Sequence, residues 1–362
     1  MRKVLFVLDN LEGGGAERVF ANIGNGFARH NVHVEFLLGH KKGIYLELLD
    51  SSIPVSEVGG SSLLDYLKFF PKFFRNNNYT HIFTASHYTS AAAIISKRLS
   101  GVSAKIIQTH HYAHPASRSL KYVKGDLVLK SIYFLLTPMA DRVIAVSEGS
   151  LQWLRRFSHR SLKGATFIYN PVFDDSIYPL AEETLDFPVP VSGKTVLLSV
   201  GRLAEQKDQL TLIKAFQVYQ KKNSNSVLFI VGTGPLHHVL ERYIKQNQLT
   251  NEVILAGFQS NPYKWMANCD VFILSSIYEG FGNVIVEAMA LGKTVVSTDC
   301  PAGPAEILAQ GQLGHLCPVS NPLALADAIS LAVEHPIDVA TMKQASQQYR
   351  IDNVVQQYLA IL

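Results

Sequence analysis

Apolar runs of strand length, rich in β-branched residues, recur along this chain, and most are followed by a loop and a stretch of helical spacing. They fall at residues 4–8, 32–38, 81–85, 106–109, 142–147 and 166–169, and again at 195–200, 226–231, 253–256, 271–275, 294–297 and 314–317. Helical patterns occupy residues 16–30, 63–76, 89–100, 130–137 and 148–157 within the first series, and residues 112–124 read as a loop. Strands that are apolar throughout are buried on both faces, and strands alternating with helices connect by crossovers. The pattern predicts an α/β chain of parallel sheets with helices on both faces. Between Asn170-Pro171 and Ser192-Gly193 the series breaks at three more prolines and the acids Asp174, Asp175, Glu182 and Glu183, which reads as an interdomain linker. Two Rossmann-like domains follow, at 1–172 and 173–340, with a helical segment at 341–362 that is polar on one side. A chain of 362 residues is comfortable for two cores.

Composition narrows the class. The chain is 48% hydrophobic and 17% charged, without low-complexity tracts or repeats, and so reads as folded throughout. Its longest apolar stretches are strand-sized, and Asp9 interrupts the first too early for a secretory leader, so a cytoplasmic protein without membrane spans is expected. Cys269, Cys300 and Cys317 have neither zinc nor disulfide spacing. The net charge of +4 hides an asymmetry: residues 1–172 hold 21 Lys+Arg against 11 Asp+Glu, a net +10, and the remainder is net −6. A basic half implies an anionic partner, either a phosphorylated acceptor or a lipid surface. Two segments of it interleave bases with aromatics, 63–75 and 118–134. The first also reads as a helix with buried aromatics and with Lys68, Lys72 and Arg75 in solvent.

The chemistry concentrates in residues 277–292, where Glu279 and Glu287 stand eight residues apart across a strand–glycine loop–helix junction. Glu279 falls on the loop, Glu287 one turn into the helix, and the amides of Asn283 to Val286 between them. In open α/β sheets ligands bind at such junctions, and a helix start favours an anion. A ligand with hydroxyls at both ends and phosphate in the middle suits this layout, and a nucleotide sugar has that shape. Arg202 and Lys207 follow the first strand of the second domain, placed to reach the same phosphate. Gly232 and Gly234 end the next strand and allow close backbone approach, or simply a tight turn. Gly13, Gly14 and Gly15 follow the first strand as a phosphate cradle would. A dinucleotide fingerprint with Glu35 competes there, but its third glycine is replaced by Arg18. His110, His111 and His114 follow a strand end, and Ser147 precedes a helix, where capping is the stronger reading.

The Glu-x7-Glu stretch resembles the signature of retaining glycosyltransferases of family 4, which have the GT-B fold, and the other motifs occur in that family's order. The resemblance implies two Rossmann-like domains facing across a cleft, with the last helix crossing back to the N-terminal domain. It implies a catalytic group of Arg202, Lys207, Glu279 and His111, with the two cations on the donor's diphosphate and His111 near the transferred sugar. Donor contacts would come from Gly14, Gly15, Gly232, Gly234, Phe258 at the base, Gly280, Phe281, Gly282, Asn283, Val284 and Glu287. No DxD motif and no carboxylate nucleophile stand out, so no metal or cofactor is expected, and front-face displacement is implied. Residues 298–306 resemble a variant in bacterial transferases that build surface polysaccharides and lipid-linked oligosaccharides, which favours a UDP-sugar and a saccharide or lipid-linked acceptor. Peripheral association with the inner face of the plasma membrane is the matching localisation, and no nucleic acid is expected. A GT-B epimerase, a phosphorylase or a non-catalytic glycan-binding scaffold are the alternatives.

Overall fold

The computed structural model describes residues 2–111, 135–158, 162 and 164–362. His114, the loop at 112–124, the basic segment 118–134 and most of the helix expected at 130–137 lie outside the described residues. The chain divides into two compact units, Met1–Val172 with Ile351–Leu362, and Phe173–Arg350.

In the first unit, β1 (Lys3–Leu8), β2 (His33–Leu38), β3 (Val55–Glu57), β4 (His81–Thr84), β5 (Lys105–His110), β6 (Arg142–Ala145) and β7 (Thr166–Phe167) form one sheet. Their order is β3-β2-β1-β4-β5-β6-β7, and every pairing is parallel. Alternate side chains of β1 serve opposite faces. Val4, Phe6 and Leu8 meet Phe20, Ile23 and Phe27 of the helix Gly15–Arg29, together with Val354, Val355 and Tyr358 of the helix Ile351–Leu359. Leu5 and Val7 meet Tyr66, Phe70 and Phe74, which recur every four residues on the helix Leu63–Asn76. Gly26 is needed where the last helix docks, because a Cβ there would lie 2.5 Å from Val355 Cγ2. The short strand β3 has no counterpart in the sequence reading: three residues are too few to show a period.

In the second unit, β8 (Thr195–Val200), β9 (Ser226–Val231), β10 (Val253–Gly257), β11 (Val271–Leu274), β12 (Thr294–Thr298) and β13 (His315–Cys317) form a parallel sheet ordered β10-β9-β8-β11-β12-β13. Helices Gln209–Gln220, His237–Gln246 and Pro322–Glu334 cover one face. The stretch read as a linker is packed into this unit. Phe187 lies 5.1 Å from Phe229 and 5.8 Å from Trp265, and Asn261 Nδ2 donates to the Leu180 carbonyl at 2.7 Å. Residues 341–350 also belong here, with the helix Val339–Ser346, so the segment that joins the first unit begins at Ile351. Among the described residues no helix is long and apolar enough to cross a membrane.

Candidate active site

In the second sheet the strand order reverses between β8 and β11, and the loops leaving those strands carry the residues the motifs pointed to. Such a switch point is where open α/β sheets bind ligands. Hydrogen bonds stitch the two loops together. Ile277 N–H donates to the Gln206 carbonyl at 2.8 Å, Ser275 Oγ to the Lys207 carbonyl at 2.7 Å, and Gln206 Nε2 to the Tyr278 carbonyl at 2.9 Å. Across this seam Lys207 Nζ meets Glu279 Oε1 at 2.5 Å. Ser276 Oγ donates to the same oxygen at 2.6 Å, and Gln206 Nε2 reaches Oε2 at 3.4 Å. The Glu279 side chain is 8% exposed and that of Lys207 19%, so the pair is largely removed from water. Such partners offset the cost of taking a carboxylate out of water.

Glu287 is 3% exposed, one turn into the helix Asn283–Ala290, and takes a hydrogen bond from Tyr263 Oη at 3.3 Å. Neither carboxylate is the solvated surface acid that an ordinary helix start would carry. The helix begins at Gly282, with φ 108° and no side-chain cap. Of the amides expected to be free at this end, that of Ile285 is already used, donating to the Gly282 carbonyl at 2.9 Å. Phe281 is buried, whereas Gly280, Asn283 and Val284 are half-buried at the helix start. Arg202 is exposed, and its guanidinium has no ion pair among the described residues. Phe258 stands 59% exposed just beyond Gly257 at the end of β10.

The glycine positions have structural reasons of their own. Gly232 has φ 140°, and a Cβ on it would lie 2.0 Å from the Gly201 carbonyl oxygen, so the turns after β8 and β9 touch through bare backbone. Gly234 is held in the same way against Leu203. The tight-turn reading therefore accounts for both without a ligand.

In the first unit, Gly14 is the N-cap of the helix Gly15–Arg29, and Gly13 to Gly15 are exposed. The competing dinucleotide acid, Glu35, is already engaged, accepting from Tyr79 Oη at 2.5 Å and Ser56 Oγ at 3.0 Å. His110 and His111 part company after β5. His110 stacks on Trp153 at 5.4 Å, whereas His111 lies 5.5 Å from Phe20 and is 8% exposed. Burial pushes the His111 imidazole down to about 4, so the ring is neutral at physiological pH. Thr109 Oγ1 donates to the Thr84 carbonyl at 3.0 Å and lies 3.0 Å from His111 Nε2. With the one hydroxyl proton used, His111 Nε2 donates to Thr109, and Nδ1, for which no hydrogen bond is found among the described residues, has a lone pair that can accept from a hydroxyl. Ser147 caps its helix, taking the Ser150 N–H on its Oγ at 3.0 Å.

Gln206, Ser276, Tyr263 and Thr109 escaped the sequence reading. Gln206 and Ser276 adjoin residues that were singled out, and a polar Ser275-Ser276 pair ending an apolar strand was the available signal. Tyr263, 24 residues before its partner, gave none. Among the described residues, one group could offer three metal ligands within 4.8 Å of one another: His237, His238 and Glu241. It lies in the first turns of an exposed helix, whose positive end disfavours a cation, and Glu241 already pairs with Lys245 at 2.9 Å.

Two parallel Rossmann-like domains in one chain, the second with cations and buried carboxylates at its switch point, define a GT-B protein suited to a ligand that is both anionic and rich in hydroxyls. The family model described as glycosyl transferases group 1 matches residues 182–349 and that of glycosyltransferase family 4 matches residues 13–175; the chain belongs to this glycosyltransferase family. It is 29% identical over 343 residues to the N-acetylgalactosamine-N,N'-diacetylbacillosaminyl-diphospho-undecaprenol 4-alpha-N-acetylgalactosaminyltransferase of Campylobacter jejuni, covering 92% of this chain and 91% of the relative. An uncharacterized glycosyltransferase of Haemophilus influenzae is 24% identical over 371 residues, the full length of both. The crystal structure of Anabaena Alr3699/HepE in complex with UDP-glucose superposes with a TM-score of 0.79 at 22% identity, covering 100% of each chain.

Proposed function

We propose that the protein is a retaining, metal-independent glycosyltransferase that moves a hexose or N-acetylhexosamine from a UDP-sugar to a lipid-linked saccharide in bacterial surface-glycan synthesis. The observation that carries this reading is the buried Lys207–Glu279 pair at the switch point, with Arg202 open beside it in sequence and Glu287 buried one turn along the helix. Lys207 and Arg202 stabilise the charge that grows on the departing diphosphate, and interactions that strengthen toward the transition state raise kcat. Glu287, steadied by Tyr263, accepts hydrogen bonds from the ribose hydroxyls. Glu279, the carboxylate next to the lysine, accepts from a hydroxyl of the transferred sugar. His111, neutral, accepts another sugar hydroxyl on Nδ1. No side chain assigned here is a nucleophile, so the acceptor hydroxyl attacks from the leaving-group side and a phosphate oxygen takes its proton. The solved relative's UDP-glucose supports the donor class, and the Campylobacter enzyme's diphospho-undecaprenol name supports the acceptor class.

The test is nucleotide release from UDP-, GDP- and ADP-sugars with a lipid-linked saccharide acceptor, in excess EDTA throughout. Release of UDP alone, with retained anomeric configuration in the product, is the expected result. Release of another nucleotide, inversion, or activity that returns only with added Mg²⁺ or Mn²⁺ would each overturn the corresponding part.

A further inference from the structure

The helix Leu63–Asn76 turns Tyr66, Phe70 and Phe74 into the core, and what it leaves in solvent is a single stripe. Leu64, Lys68, Lys72 and Arg75 recur at helical spacing on the outer side, and all four are exposed, Leu64 by 66%. At 1.5 Å per residue the stripe is about 16 Å long. It continues onto the neighbouring helix His87–Ser100, because Arg75 Nη2 donates to the Leu99 carbonyl at 3.5 Å, and Arg98 and Leu99 are exposed there, Leu99 by 65%. None of Lys68, Lys72, Arg75 and Arg98 has an ion-pair partner among the described residues. The acids nearby are committed elsewhere: Asp65 accepts from Ser62 N and Oγ in the capping box, and Asp141 pairs with Lys97 at 2.7 Å. Asp65 offsets part of the Lys68 charge, whereas Lys72, Arg75 and Arg98 stand beside exposed leucines with no ion-pair partner among the described residues.

We infer that this two-helix face docks on an anionic lipid surface. Charge complementarity names the anion, and the leucines name the lipid: Leu64 and Leu99 gain from the headgroup–acyl boundary, whereas a nucleic acid backbone offers them phosphate alone. The segment 63–75 takes part through its leucine and cations, since Tyr66, Phe70 and Phe74 are in the core and Phe69 and Phe73 pack half-buried against it. The inference rests on the lipid-linked acceptor proposed above, because docking brings the first unit to the surface where such an acceptor resides.

Cosedimentation of the full chain with vesicles tests it, comparing phosphatidylcholine alone with phosphatidylcholine containing 30 mol% phosphatidylglycerol at low and high salt. Wild type should bind the anionic vesicles at low salt and release as salt rises. Each basic residue near such a surface contributes about fivefold, so K68Q/K72Q/R75Q should weaken binding on the order of 100-fold. L64S/L99S should weaken it at both salt concentrations. All five positions are exposed, and unchanged thermal stabilisation by UDP checks that each variant is folded. Absence of binding to anionic vesicles, equal binding to neutral ones, equal binding by the triple variant, or tighter binding to a DNA duplex would overturn the inference. Sugar transfer to a short water-soluble acceptor separates the two readings. If that transfer survives while vesicle binding fails, docking alone falls; if vesicle binding depends on salt and stripe but no nucleotide sugar is used, the transferase reading falls.

Discussion

Replacing Glu279 with Gln should tighten UDP binding while slowing transfer. Lys207 Nζ lies 2.5 Å from Glu279 Oε1, and a phosphate oxygen held by that ammonium at about 2.8 Å would stand about 5 Å from the carboxylate. Two unit charges at that separation repel by about 3 kcal/mol at an effective dielectric of ~20. Ser276 and Gln206 already spread the carboxylate's charge, and the lysine loses a partner in the variant, so about half of that repulsion is expected as net gain. That is about 1.4 kcal/mol, or tenfold in Kd. Gln keeps the shape and can still accept from Ser276, so the loop seam should hold. Transfer should nevertheless fall by about 100-fold, because the acceptor for the sugar hydroxyl is weakened in the transition state. Titration calorimetry with UDP at fixed salt, beside initial rates with the full donor, reads both quantities. A Kd for UDP equal to or weaker than wild type would refute the electrostatic argument, whatever the rate does.

Lys207→Ala and Arg202→Ala should each lower kcat by roughly two to three orders of magnitude, and near-wild-type turnover in both would remove them from the mechanism. Glu287→Ala should weaken UDP binding measured by calorimetry at least tenfold through loss of charge-assisted hydrogen bonds to the ribose, with Tyr263→Phe costing less; unaltered affinity in Glu287→Ala would displace it from the nucleotide. Burial holds His111 and His87 near 4, so the unfolded chain takes up protons below about pH 6.5 that the native state refuses until about 4. Stability should therefore fall as pH drops through that window, by up to about 1.4 kcal/mol per pH unit for each histidine, and a flat denaturation midpoint from pH 7 to 5 would contradict it. Thr109→Val frees the His111 tautomer and should slow transfer about tenfold without changing UDP affinity; an equal loss in both would mark Thr109 as merely structural.

The strands were legible because parallel strands buried on both faces are written as uninterrupted apolar runs, and β1, β9 and β11 are of that kind. The motif carboxylates were legible because charges inside an otherwise apolar strand–helix junction need a reason. What could not be read is whatever depends on contact between distant segments. The packing of Phe187 on Trp265 turned a proline-rich stretch that looked like a linker into part of a core. The Tyr263–Glu287 hydrogen bond has no sequence trace, and the bond between Glu35 and Tyr79 removed a rival that local spacing had allowed. The aromatics at 66, 70 and 74 were ambiguous between core and surface until the sheet above them was in view.

The second unit begins and ends at one place: Phe173 bridges to Arg350, whose guanidinium grips Asp175 with two bonds at 2.7 and 2.9 Å. It is thus a closed module set into the first unit, whose chain leaves at Val172 and resumes at Ile351. During vectorial synthesis the N-terminal sheet emerges first yet lacks Val354, Val355 and Tyr358, which complete its core. The first core is therefore discontinuous in sequence, whereas the second is built from one continuous stretch. The first unit's core stays open at Gly26 until Val355 is in place, so its completion depends on a segment that follows the whole second unit in sequence.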